Sequence, residues 1–150
     1  MKAHEIMIRE VYKVRETDSV RSVILQFIQH RISGMPIVNE KEEIVGYISD
    51  GDIMRYIGKH KDIVIDSIFY VNVIKGDDFN FEDRAKKILD QNVMLLAKKP
   101  IKVAWDEEVE DIAATLGKKQ FKKLPVEKNG VLVGIISRGD VIRNTFRSLL

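Results

Sequence analysis

A serine and an aspartate three positions apart occur twice in this chain, each time within one short motif. The first copy, Gly-Tyr-Ile-Ser-Asp-Gly-Asp, contains Ser49 and ends at Asp52. The second copy, Gly-Ile-Ile-Ser-Arg-Gly-Asp, contains Ser137 and ends at Asp140. A hydroxyl and free amides at a helix start bind phosphate, and a nearby carboxylate accepts hydrogen bonds from ribose hydroxyls. The motif therefore has the chemistry of a nucleotide site.

The same spacing also has a purely structural explanation. A serine followed three residues later by an acid resembles a capping box, which pairs the two side chains with amides at a helix start. An aliphatic run follows each motif and ends in Arg55 or Arg143, as a helix would. Capping and ligand binding are compatible, and the sequence leaves both open.

The elements that position the motif follow from hydrophobic periodicity and turn residues. In chain order they are a helical lead-in over residues 3–9, a strand at 11–14, a helix over 19–31 capped by Thr17, Asp18 or Ser19, strands at 35–38 and 44–48, and a helix from Asp50 to Ile57 that Gly58 ends. The motif thus lies where a strand passes into a helix.

The same order of elements recurs in the second half. Val14 and Pro36 find counterparts 89 residues later at Val103 and Pro125, and Asp52 finds its counterpart 88 residues later at Asp140. One residue has been lost from the turn between the strands, where Asn-Gly predicts a tight hairpin. The pattern is a tandem repeat of one β-α-β-β-α unit, and two such units would face their motifs into shared clefts.

In the second unit, Asp106 is expected to cap a helix that buries its apolar side. The inward positions are Val109, Ile112, Ala113 and Leu116. Trp105 precedes this helix and is expected to pack at the sheet edge, although stacking on a base is an alternative.

The predicted domains are a first repeat at 1–60, a connecting segment at 61–93 and a second repeat at 94–150. The connecting segment is too hydrophobic for a flexible linker, so we expect it to pack on the repeats or on another subunit. Its predicted features are β-rich stretches at 63–65 and 68–71, a turn at 76–78, and a helix capped by Asn80 with Ala85, Ile88 and Leu89 inward.

Composition narrows the classes of function. Of 150 residues, 45% are hydrophobic and 32% are charged, as in a folded domain. The chain has no cysteine, and His4, His30 and His60 are not spaced as metal ligands, so we expect no metal site. With no long apolar run and no signal-peptide pattern, we expect a cytoplasmic protein without a membrane segment.

Charge is distributed unevenly along the chain. The net formal charge is 0 for residues 1–60, −2 for residues 61–93 and +4 for residues 94–150. A modest positive excess suits a phosphate-bearing small molecule better than a nucleic-acid track, which needs a stronger basic stripe.

The ordered set of motifs in duplicate resembles a pair of CBS domains, the cystathionine β-synthase type repeat whose tandem pair is called a Bateman module. The resemblance covers residues 3–58 and 94–148 and rests on Gly-Met-Pro-Ile-Val at 34–38, Lys-Leu-Pro-Val at 123–126 and the two opening motifs. It implies an α/β (α+β) fold of two units related by a pseudo-twofold and packed through their sheets. It also implies a homodimer, and clefts that bind AMP, ADP, ATP or S-adenosylmethionine.

In that family, the closing aspartate holds ribose hydroxyls and the serine before it contacts phosphate, roles that fall on the two motifs described above. Some members carry basic residues before the Leu-Pro pair, where this chain has Lys122 and Lys123. The candidate ligand-binding residues are therefore Ser49, Asp52, Ser137, Arg138, Asp140, Lys122, Lys123, Lys13 and Lys102. Many members have threonine or serine in place of Lys13 and Lys102, which is a departure.

The two clefts are expected to differ. Asp50 places a negative charge inside the first motif, whereas its counterpart Arg138 offers a positive one. We therefore hypothesise that the motif at Asp140 binds phosphate better. The sequence leaves open which cleft Lys122 and Lys123 face, and also whether they are only solvated surface charge.

The leading functional interpretation is a ligand-sensing regulatory module that binds an adenosine nucleotide and signals in trans to a partner protein. The alternative is a non-catalytic interaction or dimerisation module with empty clefts. An enzyme is disfavoured, since no nucleophile, base and orienting group form a recognisable set, and no cofactor is expected to be required. Nucleic-acid binding is disfavoured for want of a recognition motif.

Overall fold

The computed structural model describes residues 1–58, 63–66, 71–74, 80–118 and 121–150. Its elements, in chain order, are α1 (Ala3–Ile6), β1 (Val14–Arg15), α2 (Val20–His30), β2 (Gly34–Val38), β3 (Ile44–Ser49), α3 (Asp50–Ile57), β4 (Ile63–Asp66), β5 (Val71–Ile74), α4 (Phe81–Ile88), a 3-10 turn (Val93–Leu95), β6 (Val103–Ala104), α5 (Val109–Leu116), β7 (Lys123–Lys128), β8 (Val131–Ser137) and α6 (Arg138–Phe146).

Two three-stranded sheets of the same topology form the framework. In the first, β2 lies between β1, which is parallel to it, and β3, which is antiparallel. In the second, β7 lies between β6 and β8 with the same directions. Every residue of β2 is buried, whereas β3 alternates between buried and half-buried positions, so its inward side chains meet the core. The predicted α+β fold with a repeated β-α-β-β-α order is confirmed.

The hairpin turns explain the one-residue difference between the repeats. Asn129 and Gly130 form a two-residue turn with φ of 53° and 80°, the left-handed conformation that Asn-Gly favours. In the first repeat the turn is longer, and the side-chain oxygen of Asn39 accepts hydrogen bonds from the amides of Lys41 and Glu43. The prediction of a tighter second hairpin is confirmed.

Each sheet is completed by a segment from elsewhere in the chain. α1 packs on the second sheet, where Ala3 and Ile6 share a core with Leu124. The segment that follows α4 packs on the first repeat, and the amide of Val20 donates to the carbonyl of Gln91 at 2.8 Å. The two halves of the chain are therefore interleaved.

The connecting segment contributes to this packing through α4. Asn80 caps the helix as predicted, because its side-chain oxygen accepts from the amide of Asp83 at 2.8 Å. The predicted inward positions Ala85 and Leu89 are only half-buried, and Arg84 is buried beside Ile88 instead. β4 and β5 pair antiparallel, and of the second β-rich stretch predicted at 68–71 only Val71, in β5, is a described residue. Residues 67–70 and the predicted turn at 76–78 lie outside the described residues.

Three local predictions are wrong at their boundaries. The lead-in helix ends at Ile6, and β1 pairs with β2 only through Val14 and Arg15. α5 begins at Val109 with Glu108, not Asp106, at its N-cap position. The physical reason is that the carbonyl of Met1 accepts from the amide of Val109 at 2.9 Å, so the N-terminal segment satisfies the start of this helix.

Two side chains near α5 also have clear positions. Ala113, predicted inward, is exposed. The ring of Trp105 packs against the second core, with the ring of His4 4.9 Å away and the ammonium nitrogen of Lys128 4.1 Å above it. Its packing role is therefore confirmed.

Candidate functional site

The first motif forms a capping box at the junction of β3 and α3. The carboxylate oxygen Oδ2 of Asp52 accepts hydrogen bonds from the amide of Ser49 at 2.9 Å and from its hydroxyl at 3.0 Å. The other oxygen, Oδ1, is paired with the guanidinium of Arg55, one turn along the helix. Asp52 is buried, so these contacts compensate the burial of its charge.

The second motif repeats this arrangement at the junction of β8 and α6. Oδ2 of Asp140 accepts from the amide and hydroxyl of Ser137 at 2.8 and 2.9 Å, and Oδ1 accepts from Arg143 at 2.9 Å. The hydroxyl of Ser137 also accepts from the amide of Asp140 at 3.2 Å. The structural interpretation of both motifs, helix capping, is therefore confirmed, and it holds whether or not a ligand binds.

A cleft between the repeats opens at the first motif. Its cavity volume is about 210 Å³. The first repeat contributes Ser33, Gly34, Tyr47, Ser49, Asp50 and Gly51, and the second half of the chain contributes Lys98, Lys99, Ile101, Phe121, Lys122, Lys123, Leu124 and Pro125. Polar groups of the first repeat thus face apolar and basic groups of the second, which is the usual make-up of a small-molecule site.

The cleft is strongly basic on one wall. Among the described residues, four lysines line it, against one lining carboxylate, that of Asp50, with Asp52 directly behind Ser49. The ammonium nitrogen of Lys98 lies 3.0 Å from the hydroxyl oxygen of Ser49 and 3.7 Å from Oδ2 of Asp52. Since ammonium groups attract and hydrogen-bond phosphate oxygens, this wall fits an anionic ligand.

Tyr47 lines the same cleft, between the strands of the first repeat and the basic wall. Burial is the main cause that raises the pKa of its hydroxyl to about 12, and the negative charges of Asp50 and Asp52 add to the effect. Its backbone pairs with that of Lys98, each amide donating to the other's carbonyl. The phenol is therefore a neutral hydrogen-bonding group at physiological pH.

The structure shows where three basic residues lie: Arg138 of the second motif, and Lys122 and Lys123, whose cleft the sequence left open. Lys122 and Lys123 line the cleft of the first motif, opposite Ser49. The guanidinium of Arg138 donates to the carbonyls of Leu116 and Lys118 at 2.8 and 2.9 Å, where it satisfies the end of α5. The hypothesis that the Asp140 motif is the better phosphate site thus gains no support from these three residues.

Lys13 and Lys102 lie outside this cleft. The ammonium nitrogen of Lys13 is 2.6 Å from a carboxylate oxygen of Glu42, and that of Lys102 is 3.3 Å from one of Glu127. The lysines and their partners belong to the strands and turns of their own repeats. Both lysines remain candidates for ligand binding from the sequence, and each forms an ion pair in the structure.

Sequence reasoning missed Lys98, Lys99 and Tyr47 as lining residues. A signal for the two lysines was present, since they precede the first strand of the second repeat, within the part of the chain that carries the positive excess. Tyr47 stood inside the first motif but had only an apolar counterpart, Ile135, in the second. Its place in the cleft follows only from the fold, in which its backbone pairs with that of Lys98.

The described residues contain neither a candidate metal cluster nor a candidate membrane-spanning helix. Among them, no three or more histidine, aspartate or glutamate side chains are grouped as a metal site. None of the helices within these same ranges is long and apolar enough to cross a membrane.

Comparison with known proteins identifies relatives over most of the chain. A family model for the CBS domain matches residues 3–59 and 95–146. The uncharacterized protein MJ1426 of Methanocaldococcus jannaschii is 28% identical, over 91% of this chain and 89% of the relative. The chloroplastic CBS domain-containing protein CBSX1 of Arabidopsis thaliana is also 28% identical, over 89% of this chain and 58% of the relative.

Solved structures agree on the fold. CBSX2 in complex with AMP gives a TM-score of 0.73 at 22% identity, covering 99% of this chain and 98% of that chain. CBSX2 from Arabidopsis thaliana gives a TM-score of 0.75 at 22% identity, covering 99% and 96%. At this identity the likeness concerns the fold alone. Together with the match of the family model to both repeats, it shows that this chain belongs to the CBS domain family and carries two CBS domains in tandem.

Proposed function

We propose that the cleft at the first motif binds a phosphorylated adenosine nucleotide and that the protein acts as a regulatory, non-catalytic nucleotide sensor. One observation carries the proposal. A basic wall of Lys98, Lys99, Lys122 and Lys123 faces the hydroxyl of Ser49, at the start of a helix, across a cavity of about 210 Å³. Phosphate oxygens would find charge, a hydroxyl donor and the positive end of a helix in one place.

The roles of the site residues follow from their positions. Ser49, Lys98, Lys122 and Lys123 would hold phosphate oxygens, and Asp52 would accept hydrogen bonds from the ribose hydroxyls beside them. The basic wall favours AMP, ADP or ATP over S-adenosylmethionine, which has no phosphate and carries a sulfonium cation. The structure of CBSX2 in complex with AMP supports the choice of an adenosine ligand for this fold.

Regulation follows from where the walls of the cleft originate. One wall belongs to the first repeat and the other to the second, so a ligand that fills the cleft stabilises one relative packing of the repeats. A partner protein that binds this packing preferentially would sense the nucleotide in trans.

A homodimer is part of the proposal, and one observation favours it. Met54 on α3 and Ile142 on α6 occupy equivalent positions in the two repeats, and they are 60% and 57% exposed. Apolar side chains at equivalent exposed positions give a pseudo-symmetric surface, which suits association with a second copy. The same surface is what a pure dimerisation module with empty clefts, the alternative function, would need.

Thermal unfolding tests the proposal and separates it from the alternative. The protein is unfolded alone and with AMP, ADP, ATP, S-adenosylmethionine or GMP as a control. A ligand at about one hundred times its Kd stabilises the fold by about 2.7 kcal/mol. For a chain of this size that raises Tm by roughly 5–10 °C. A shift with adenosine phosphates and none with GMP is expected, whereas no shift with any ligand favours the dimerisation module.

A further inference from the structure

Lys98 makes a contact that reaches across the two halves of the protein. Its ammonium nitrogen lies 3.0 Å from the hydroxyl oxygen of Ser49 and 3.7 Å from Oδ2 of Asp52. The ammonium group is therefore hydrogen-bonded to the hydroxyl of Ser49 and lies beside the carboxylate of Asp52. The proposed function assigns both of these groups to the nucleotide. A ligand can reach Ser49 and Asp52 fully only when this ammonium moves.

The backbone of Lys98 is fixed while its side chain has room to move. Its amide donates to the carbonyl of Tyr47 at 2.9 Å, and the amide of Tyr47 donates back at 3.1 Å. The side chain is 42% exposed and opens onto the cleft, where its four methylene groups give the ammonium reach. The charge can thus change partners without a change in the backbone.

The second repeat has no lysine at the equivalent place. The backbone pairing of Lys98 with Tyr47 is matched there by the pairing of Ile8 with Ile135, whose amides exchange hydrogen bonds at 2.9 Å. Asp140 keeps the contacts to Ser137 and Arg143 that Asp52 makes in its own repeat. The lysine is therefore an addition to the first cleft and is not needed for helix capping.

We infer that Lys98 makes the first cleft select phosphorylated nucleosides over free nucleosides. The phosphate draws the ammonium away from Ser49 and Asp52, and this exchange leaves Asp52 to the ribose hydroxyls. The inference rests on the proposed function and adds to it the residue that determines which form of the ligand binds.

The selectivity arises from what happens to the displaced charge. A phosphate offers the ammonium a charge-assisted hydrogen bond in place of the ones it loses. A neutral nucleoside offers no such partner, so it must either compete with the ammonium for Asp52 or leave its ribose hydroxyls poorly bonded. Lys99, Lys122 and Lys123 add attraction for an anion, but in the structure their ammonium groups do not contact Asp52.

The test compares AMP with adenosine by isothermal titration calorimetry. Lys98→Met keeps an unbranched side chain, one atom shorter, and removes its charge. We expect its AMP affinity to fall about 10-fold or more while its adenosine affinity is unchanged or higher, so that the affinity ratio collapses. Lys98→Arg keeps the charge and should retain most of the ratio. The matched control is Lys2→Met, because Lys2 pairs with Glu108, does not line the cleft and is similarly exposed at 45%.

Two results would overturn the inference, and they are distinguishable. If wild-type protein binds AMP but Lys98→Met weakens AMP and adenosine by the same factor, Lys98 is not the selecting residue and the proposed function stands. If wild-type protein binds no adenosine phosphate at all, both fail together.

Discussion

The hydroxyl oxygen of Tyr47 lies 2.6 Å from the point that a Cβ atom on Gly34 would occupy. The two residues lie on adjacent strands, β2 and β3, and both line the cleft at the first motif. A side chain at position 34 would therefore force the tyrosine ring to move, so the observed position of the phenol depends on Gly34.

Gly34→Ala is expected to destabilise the protein by about 1–3 kcal/mol, because the new methyl group overlaps the phenol and forces it to move. Chemical denaturation of the variant measures this loss. Tyr47→Phe removes the hydroxyl, so the double variant should recover part of it. Gly51→Ala is the control, since its Cβ would meet nothing closer than 3.4 Å. Equal destabilisation by the two alanines would contradict the explanation.

Ionisation of Tyr47 predicts a loss of stability at high pH. The pKa of its hydroxyl is raised from 10.0 to about 12 in the folded chain, chiefly by burial. Between these values the unfolded chain has lost the proton and the folded chain still holds it, so stability falls as pH rises through this window. Below pH 10 the contribution is fully present.

The measurement is the free energy of unfolding against pH for wild type and Tyr47→Phe. The difference between their curves should appear as the pH passes 10 and grow towards 12. An absorbance titration should also show a late-titrating tyrosine that is missing from the variant. Parallel stability curves throughout would show that Tyr47 is not responsible.

Arg84 connects α4 to the end of α3. It is buried, and its Nε atom donates to the carbonyl of Ile57 at 2.8 Å. Arg84→Met should destabilise the fold by about 1–3 kcal/mol, since it leaves the half-buried carbonyl of Ile57 without this donor. Lys86→Met, which breaks an exposed pair with Glu82 on the same helix, should cost under about 0.5 kcal/mol in denaturation experiments. The reverse order would mean that α4 is not anchored through Arg84.

The exposed residues on α3 and α6 predict the outcome of a surface substitution. If Met54 and Ile142 join two copies, Met54→Glu combined with Ile142→Glu places charge in the interface and should convert a dimer to a monomer in analytical ultracentrifugation. Phe81→Glu is the control, because Phe81 is also 60% exposed but lies on α4. A dimer that survives the double substitution must form through another surface.

Much of the fold was predictable because the sequence repeats itself. The matched spacing of Pro36 with Pro125 and of Asp52 with Asp140 placed every strand of both sheets in the right order. The capping boxes followed from local spacing alone. Periodicity did not predict that segments of one half pack on the other half. α1 contacts the second core through long-range packing, which leaves no pattern among neighbouring residues.

The motif residues of the candidate site were predictable from the sequence, whereas the residues that folding brings next to them were less so. Ser49 and Asp52 were found from their types and spacing, but their neighbour Lys98 is 46 residues beyond Asp52 in the chain and meets it only through folding. Arg138 has contacts that its residue type alone did not predict. Its charge pointed to phosphate binding, whereas the carbonyls at the end of α5 take up its guanidinium in the structure.

AMP affinity of Asp52→Ala and Asp140→Ala, compared by isothermal titration calorimetry, tests the central claim most directly. The two aspartates make the same capping contacts, so each variant controls for the structural effect of the other. Loss of a charged acceptor for the ribose is worth about 1.5–3 kcal/mol, so Asp52→Ala should bind AMP roughly 10–100-fold more weakly. Asp140→Ala should bind within about twofold of wild type. No loss from Asp52→Ala, or a loss confined to Asp140→Ala, would contradict a nucleotide site at the first motif, and equal losses would contradict the preference for that motif over the second.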